Sequence, residues 1–372
     1  MRKNKKPGFL RKLTLLLNGL AIFALLLCYL ATVTNPTSAW YIAFFGLAYP
    51  FILLINILFI IYWLLRKKWF ALFSLVAVLI GFQSLTYTIG FRGKSHPPLT
   101  KDSSTVKLMT YNVHYFKKFG ADLDSNTRTG ILNLIKKEQP DIAGFQEFFT
   151  RKKGKYDIKD SVIQILNTKY YYFEPAIDNG YESYGLAIFS KFPIVNKGIV
   201  DLKDPQSGNG CIWADIKKDD QVFRVFVVHL ASISFQPEDY NYLNKLKADL
   251  APQEDVVSGK RIVRRLKSAY IKRSEQVKIL KSYTDSCTVP YLIMGDFNDT
   301  PVSYTLNTLT KGMKNAFKEK GSGLAITYNG EFPNFQIDYI LGTPHFDFKS
   351  YHIIKEAFSD HYPVTSNVSL QD

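Results

Sequence analysis

The first 91 residues of this 372-residue chain contain no Asp or Glu, although nine of its 47 Lys and Arg lie there. All 32 acidic residues follow this stretch, so much of the net charge of +15 comes from the first quarter of the chain. An apolar segment without acids excludes a purely soluble protein, and a hydrophobic content of 47% excludes a disordered or collagen-like one. The basic balance therefore indicates a membrane segment rather than a nucleic-acid-binding surface.

Cysteine is also scarce, with three residues in the whole chain. Cys28 lies in an apolar run, and Cys211 and Cys287 lack the spacing of a metal-binding motif. The sequence therefore predicts no zinc site. It leaves open whether Cys211 and Cys287 are bridged.

Three long apolar runs fill the acid-free segment, at 13–32, 40–65 and 69–90. Each reaches the roughly 20 residues that a helix needs to cross the hydrocarbon core of a bilayer. We therefore predict that residues 1–91 form an anchor of three transmembrane helices. Cleavage of the first run as a signal sequence, at Thr37-Ser38-Ala39, is the alternative, but the run is long for a signal peptide.

The basic residues of the anchor predict its orientation. They precede the first run and form the Arg66–Lys68 turn between the second and third, while the connection at 33–39 carries no charge. The positive-inside rule places the N-terminus in the cytoplasm and everything after about residue 92 outside it. We expect a multi-pass protein of the cell membrane, with the lipid bilayer as its partner. No protein partner can be inferred.

Residues 92–104 are predicted to be a linker, and 105–372 a single catalytic domain. Strand-like runs recur through this domain, at 106–113, 142–145, 185–189, 222–230, 291–294 and 337–341. Helical periodicity lies between them, and strands outnumber helices. This alternation predicts an α/β (α+β) fold in which two packed sheets are covered by helices.

Polar residues stand at or beside the ends of these strands. They are Asn112, Glu147, His229, Asp296, Asn298, Asp338, Asp360 and His361. Each one alone also fits a turn or a surface position. Together they would converge if the strands are neighbours, and several carboxylates in one place need a cation or a shared proton. Donors that are all oxygen or imidazole indicate a hard ion, Mg²⁺ or Mn²⁺.

The stretches Gly295-Asp-Phe-Asn298 and Ser359-Asp-His361 occur in an order that resembles the endonuclease/exonuclease/phosphatase superfamily, which is deoxyribonuclease I-like. The resemblance covers about residues 105–371. It implies a four-layered sandwich of two mostly antiparallel sheets flanked by helices. It also implies metal-dependent hydrolysis of a phosphoester.

The resemblance assigns a metal site and a substrate contact. Glu147 and Asp360 would hold the ion, with Asn112 in or beside its first shell. Tyr184 would contact the phosphate, and Tyr181 fits nearly as well. One or two metals remain possible, since His114 stands where some members have an acid.

The resemblance also assigns the catalytic groups. Asp296 would orient or deprotonate the attacking water, and Asn298 would contact that water or a phosphate oxygen. His229 and His361 would contact the phosphate. Asp338 would orient His361, since a carboxylate partner fixes the tautomer of an imidazole.

These expectations favour a membrane-anchored, metal-dependent phosphoesterase that hydrolyses phosphodiesters in the manner of a nuclease. A sphingomyelinase-like or phospholipase C-like enzyme, or an inositol phosphate phosphatase acting on lipid headgroups, is the alternative. The substrate would thus be nucleic acid or a lipid headgroup. A catalytically inactive interaction module ranks below both, because none of the expected polar residues is missing.

Overall fold

The computed structural model describes residues 8–93, 104–117, 124–204, 208–247, 256–330 and 334–371. The helices are α1 (Phe9–Val33), α2 (Pro36–Ala39), α3 (Ala43–Leu47), α4 (Tyr49–Leu65), α5 (Ala71–Ile80), α6 (Phe82–Thr88), α7 (Ser125–Glu138), α8 (Ile158–Leu166), α9 (Pro237–Lys247), α10 (Val256–Asp285), α11 (Tyr304–Thr310) and α12 (Ala316–Lys320). Most of the predicted linker, residues 94–103, lies outside the described residues.

The strands form two large sheets and one small one. The strands are β1 (Ile89–Phe91), β2 (Thr105–Asn112), β3 (Ile142–Arg151), β4 (Tyr170–Asp178), β5 (Glu182–Ser190), β6 (Ile194–Val200), β7 (Gly210–Lys218), β8 (Gln221–His229), β9 (Tyr291–Asp296), β10 (Lys314–Asn315), β11 (Ser322–Leu324), β12 (Asp338–Gly342), β13 (Phe346–Phe348), β14 (His352–Ile353) and β15 (Val364–Leu370). One sheet has the order β13-β15-β2-β3-β5-β4, with β14 beside β15, and the other has the order β10-β12-β9-β8-β7-β6. The third sheet pairs β1 with β11.

Each large sheet contains one parallel pair, β2–β3 in the first and β8–β9 in the second, and the other described pairs are antiparallel. The sequence of strand β8 is almost continuously apolar because of its position in the sheet. Its residues from Val225 to His229 are all buried, because β8 lies inside the second sheet and is covered on both faces.

The main core lies between the two large sheets. It contains Leu108 and Ile188 from the first sheet and Val227 and Met294 from the second. At Gly144 the sheets approach so closely that a Cβ atom would lie 2.5 Å from a methyl group of Val227. Apolar side chains from both sheets therefore exclude water from the interface, which is the dominant favourable contribution to folding.

Helices cover the outer face of each sheet. Ile131 and Ile135 of α7 and Val162 of α8 pack on the first sheet. Val277 and Leu280 of α10 pack on the second sheet. The predicted sandwich of two mostly antiparallel sheets flanked by helices is confirmed in this part of the chain.

The N-terminal segment contains one helix, α1, that is long and apolar enough to cross a membrane. The other two predicted spans are bent helix pairs: residues 36–47 with α4 bend by 52°, and α5 with α6 bend by 73°. The total is one span, or up to three if each bent pair is one span. The prediction of three transmembrane helices is therefore supported for the first run, and for the second and third runs it stays a prediction. Residues 8–91 are called the anchor below after this prediction.

Proline and glycine account for the two breaks. Pro50 is the second residue of α4. It has no N–H to donate to the carbonyl of Gly46, and its ring would clash with that carbonyl in a continuous helix, so the preceding helix ends at Leu47. Gly81 separates α5 from α6, and a Cβ atom there would lie 2.0 Å from the ring of Tyr29. Close packing against α1 therefore requires a glycine at this position.

The anchor packs directly on the loop that follows β9. Val302 in this loop is 2% exposed and belongs to the same apolar cluster as Leu25 of α1 and Tyr49 of α4. Asn307 Nδ2 of α11 donates a hydrogen bond to the backbone oxygen of Thr32 at 3.0 Å. The loop that continues from the end of β9 is therefore fixed by the anchor.

Three further contacts join the anchor to the domain. The ring centroids of Phe44 and Tyr270 lie 5.7 Å apart in an edge-on arrangement, and Lys267 Nζ lies 5.0 Å from the ring of Trp40. Strand β1, which follows α6, pairs with β11. The segment between α1 and α4 and the end of the third apolar run thus both pack on the domain.

We predict that Gly46→Ala weakens this packing. A Cβ atom at Gly46 would lie 2.2 Å from the backbone oxygen of Val302, so the anchor or the loop must shift at a cost of about 1–3 kcal/mol. The thermal midpoint of the purified protein in detergent should fall. The matched control is Gly19→Ala in α1, where a Cβ atom meets nothing within 4 Å. An equal midpoint for both variants would contradict the close packing.

Candidate active site

The registers of the two sheets bring the site residues together. In the parallel pair β8–β9, His229 lies opposite Asp296, and in the antiparallel pair β9–β12, Asp296 lies opposite Asp338. In the parallel pair β2–β3, Asn112 lies opposite the residue that precedes Glu147. The ends of these strands therefore fix the five residues at one edge of the sandwich.

A β-bulge in β3 directs Glu147 into the site. The pairing of β3 with β5 shifts between Phe145 and Phe148, and Glu147 has a φ of 52°. Such a left-handed conformation is unusual for a residue other than glycine and occurs often at functional sites. The bulge lets both phenylalanines stay buried while the carboxylate faces the cavity.

Gly295 allows β8 and β9 to approach closely just before the site. Its φ is +146°, and a Cβ atom there would lie 2.0 Å from the backbone oxygen of Val228. Any other residue would force the strands apart. The glycine of the Gly295–Asn298 motif therefore keeps Asp296 in register with His229.

A cavity of about 280 Å³ lies at this edge. Seven of the predicted site residues line it, namely Asn112, Glu147, His229, Asp296, Asn298, Asp360 and His361. Asp338 and Tyr184 are not among the described residues that line it. Residues that are distant in the sequence thus share one small volume.

One oxygen of Asp296 lies at the centre of the polar contacts. Asn112 Nδ2 donates to Asp296 Oδ2 at 3.1 Å and to Glu147 Oε1 at 3.3 Å. The Nε2 atoms of His229 and His361 lie 3.7 Å and 3.6 Å from the same Oδ2 atom. Asp296 Oδ2 therefore accepts a hydrogen bond from Asn112 and faces both imidazoles.

Burial raises the pKa of Asp296 to about 6, although the charge of His361 opposes this shift. Burial also raises the pKa of Glu147, and the negative charge of Asp360 adds to that effect. Both shifts follow from moving a carboxylate out of water, which disfavours its ionised form. Buried carboxylates with raised pKa values are typical of catalytic and metal-binding sites.

Asp338 holds His361 in a fixed orientation. His361 Nδ1 lies 3.0 Å from Asp338 Oδ2 and 3.2 Å from Asp338 Oδ1, so this nitrogen carries the proton and donates it. Burial disfavours the charged imidazole, but the carboxylates of Asp338 and Asp296 outweigh burial and raise the pKa of His361 well above its ordinary value. Nε2 of a positively charged imidazole then faces Asp296.

His229 is held in the opposite protonation state. Its Nε2 atom lies 3.9 Å from Glu147 Oε1 and 3.7 Å from Asp296 Oδ2. Burial nevertheless lowers the pKa of His229, because the charge of Asp296 does not compensate for the loss of water and the charge of His361 adds to the lowering. The site therefore pairs a charged imidazole with a neutral one.

Asn298 positions Asp296 from the other side. Its backbone N–H donates to Asp296 Oδ1 at 2.8 Å, and its side-chain Nδ2 donates to the backbone oxygen of Leu230 at 2.9 Å. Asn298 also has a φ of 52°. Asn298 thus holds the end of β9 against the end of β8. The substrate contact that the sequence resemblance implies for Asn298 stays a prediction.

Two sets of residues could hold a metal ion. Asp296, Asp338 and His361 each offer an atom within 4.8 Å of the others. In this trio, however, His361 and Asp338 are already hydrogen-bonded to each other. The second set, Glu147, Asp360 and Asn112, offers oxygen donors that line the cavity and suit Mg²⁺ or Mn²⁺, and its two carboxylates repel one another. The donor chemistry therefore fits an ion at the second set.

Tyr115 lies where Tyr184 was expected. Tyr115 lines the cavity, and the ring centroids of Tyr115 and Tyr184 lie 5.3 Å apart. The hydroxyl of Tyr184 donates to Glu182 Oε1 at 2.8 Å. Tyr184 therefore supports an aromatic side chain of the wall, and a direct contact with substrate stays a prediction.

Sequence reasoning missed two parts of the wall. Arg273 is buried and donates to Asp299 Oδ2 at 3.2 Å and to the backbone oxygen of Ala231 at 2.9 Å, so that it joins the loops after β8 and β9. Leu47, in the anchor, also lines the cavity. No local pattern in the sequence marks Leu47 as a site residue.

The chain matches two sequence families. Residues 109–361 match the family described as "Endonuclease/Exonuclease/phosphatase family". Residues 11–88 match a family described as "Domain of unknown function (DUF8431)". No curated protein matches the chain.

Solved structures share the fold. The endonuclease/exonuclease/phosphatase from Bacteroides vulgatus is 18% identical, with a TM-score of 0.51 over 72% of this chain and 99% of that one. A mannosyl-6-phosphatase from Bacteroides thetaiotaomicron is 18% identical, with a TM-score of 0.50 over 71% and 100%. The human Nocturnin catalytic domain with bound sulfate is 17% identical, with a TM-score of 0.50 over 73% and 97%. At these identities the similarity shows the fold alone.

We predict that Glu147→Gln stabilises the metal-free protein. The substitution removes one of two partly buried carboxylates that repel each other, and the thermal midpoint in chelator should rise by about 2–4 °C for each kcal/mol gained. Added Mg²⁺ should raise the midpoint of the wild type but not that of the variant. Glu356→Gln, at an exposed position, is the matched control. An unchanged response of Glu147→Gln to Mg²⁺ would exclude Glu147 as a ligand.

Proposed function

Because the chain belongs to the endonuclease/exonuclease/phosphatase family, whose members are hydrolases acting on phosphoester bonds, we propose that it is a membrane-anchored, divalent-metal-dependent phosphoesterase. The observation that carries the proposal is the position of Asp296 Oδ2, which faces the Nε2 atoms of both His229 and His361. One cavity thus combines a buried carboxylate with two imidazoles in different charge states.

In this proposal Glu147 and Asp360 hold Mg²⁺ or Mn²⁺, with Asn112 beside them. A bound ion would neutralise negative charge on the phosphate oxygens. Asn112 also donates a hydrogen bond to Asp296, so it links the metal-binding set to the proton-accepting group. The proposed ligands and the proposed base are therefore parts of one hydrogen-bonded unit.

Hydrolysis joins a water oxygen to phosphorus, breaks one P–O ester bond, and transfers a proton to the departing oxygen. Asp296 is suited to orient the water and accept its proton, since its pKa of about 6 leaves it mostly ionised near neutral pH yet basic enough to take a proton. The backbone N–H of Asn298 fixes Oδ1, which leaves Oδ2 facing the two imidazoles.

The two histidines have different tasks. His361 is charged and oriented by Asp338, so its Nε2–H can donate to a phosphate oxygen and stabilise the negative charge that develops there. His229 is neutral, because burial lowers its pKa, and can contact the phosphate without a net charge. Preorganised donors of this kind contribute strongly to catalysis.

The type of phosphoester is a separate question. Nuclease-type phosphodiester hydrolysis, which the sequence favours, stays a prediction. One observation favours the second candidate, a lipid headgroup: Leu47 of the anchor forms part of the cavity wall. The positive-inside rule supports a catalytic domain outside the cytoplasm, where both nucleic acid and lipid are accessible.

We predict that the purified full-length protein hydrolyses bis(p-nitrophenyl) phosphate with Mg²⁺ or Mn²⁺, and that Asp296→Asn lowers kcat/KM by about 10²–10⁴-fold. The amide keeps the shape of the side chain but cannot accept the proton. Release of p-nitrophenol is the measurement, and excess chelator should abolish it. Asp347→Asn, at a lysine-paired site away from the cavity, is the control. Equal rates for Asp296→Asn and the control would overturn the proposal.

Asp338→Asn tests the positioning of His361. The amide can offer an N–H to Nδ1 and so favours the wrong tautomer, and the expected loss in kcat is about 10²–10⁴-fold. KM should change little, because Asp338 does not line the cavity. A purely structural role would instead lower the thermal midpoint and leave kcat per folded molecule intact.

A further inference from the structure

The catalytic cavity has a polar end and an apolar end. Carboxylates and imidazoles form the polar end, as described above. The apolar end contains Leu47 of the anchor together with Ile233, Phe235 and Phe335 of the domain. Leu47 also packs beside Ile233 and Phe235 in one apolar cluster. A substrate that fills the cavity must therefore offer an apolar surface next to its phosphate.

A second cavity, of about 220 Å³, lies between the anchor and the domain, and we call it the cleft. Its wall includes Pro50 and Phe51 from α4, and Leu324, Ala325 and Ile326 from the segment that begins in β11. Most of this wall is apolar. An apolar cavity of this kind favours hydrocarbon over water.

The two cavities are neighbours. Thr300 and Phe335 line both the catalytic cavity and the cleft. At the far side of the cleft, Phe51 is 56% exposed and Leu324 is 62% exposed. The apolar end of the catalytic cavity and the cleft therefore adjoin at Phe335, and the cleft reaches the protein surface at Phe51 of α4.

The anchor places the cleft at the bilayer. Gly46 contacts the loop after β9, and the residues that continue into α4 form one of the bent pairs that qualify as a span. A molecule whose chain lies among lipid tails could thus reach the cleft without crossing water. Each methylene group that enters such a cleft is worth about fourfold in affinity.

We propose that this cleft, lined by Phe51, Leu324 and Phe335, binds the hydrocarbon chain of a membrane lipid phosphoester whose phosphate lies at the Asp296 end of the catalytic cavity. The inference rests on the proposed function, because the phosphate site is the same. It adds the chemical class of the substrate, an amphiphile with at least one long alkyl chain. It also gives the anchor a part in substrate binding beyond attachment.

The first test compares chain lengths with the full-length protein in detergent micelles. Phosphatidylcholines with two four-carbon or two sixteen-carbon chains are offered at equal mole fraction, beside bis(p-nitrophenyl) phosphate. We expect kcat/KM to be at least tenfold higher for the long-chain lipid. Hydrolysis of the soluble ester without cleavage of either lipid, or without a chain-length preference, would overturn the cleft and leave the proposed function intact. Failure to hydrolyse all three would overturn the proposed function.

Leu324→Gln supplies the matching variant. Leu324 is largely exposed, so the substitution should not unfold the domain, but it places an amide in the cleft. Long-chain lipid hydrolysis should fall at least tenfold more than hydrolysis of the soluble ester. The control is Ile199→Gln on β6, which is 51% exposed and lies outside both cavities. Equal effects of the two variants on the lipid rate would contradict the proposal.

Photolabelling tests binding without turnover. The protein in nanodiscs is irradiated with a phosphatidylcholine that carries a diazirine at the end of one chain, and the labelled peptides are identified by mass spectrometry. We expect labels at residues 46–51 and 324–326, reduced when a diacylglycerol with the same diazirine replaces the phospholipid. Labelling confined to the exposed faces of α1 and α5, or equal labelling by both probes, would show bulk lipid contact only and reject the cleft.

Discussion

The architecture of the site depends on one carboxylate oxygen, Asp296 Oδ2, which lies in the interior among groups of both charges. Asn112 donates to it from the first sheet, while His229 and His361 approach it from β8 and from the turn before β15. A buried carboxylate is costly unless such partners surround it. The registers of β8, β9 and β12, and the close approach at Gly295, are what keep the partners in place.

Much of this arrangement was visible in the sequence. Asn112, His229 and Asp296 end apolar strands. In the structure His229 and Asp296 end neighbouring strands of one sheet, and Asn112 ends a strand of the other sheet and reaches Asp296 across the interface. Pattern alone could not show which aromatic side chain faces the cavity, because Tyr115 and Tyr184 lie in contact and differ only in direction. The sequence analysis also missed the breaks in the anchor. Hydropathy is averaged over a long window, so single residues such as Pro50 and Gly81 that interrupt a helix do not change it.

The anchor and the site are mechanically linked through the loop after β9. Asp296 and Asn298 lie at its start, Asp299 binds Arg273, and Val302 is buried among the anchor helices. A rigid support of this kind restricts the motion of catalytic side chains, as preorganised sites require. A shift of the anchor against the domain would therefore be transmitted to the proposed base, although neither Leu25 nor Tyr49 touches the cavity.

Family membership alone does not identify the substrate, because part of the cavity wall lies outside the family match. The family match covers residues 109–361, whereas Leu47 belongs to the separately matched segment 11–88. One wall of the catalytic cavity thus comes from outside the part of the chain that matches the endonuclease/exonuclease/phosphatase family. Because a fold supports many reactions and the walls select among them, substrates of those relatives cannot be transferred to this chain. The selectivity of this enzyme is better sought where the anchor meets the domain.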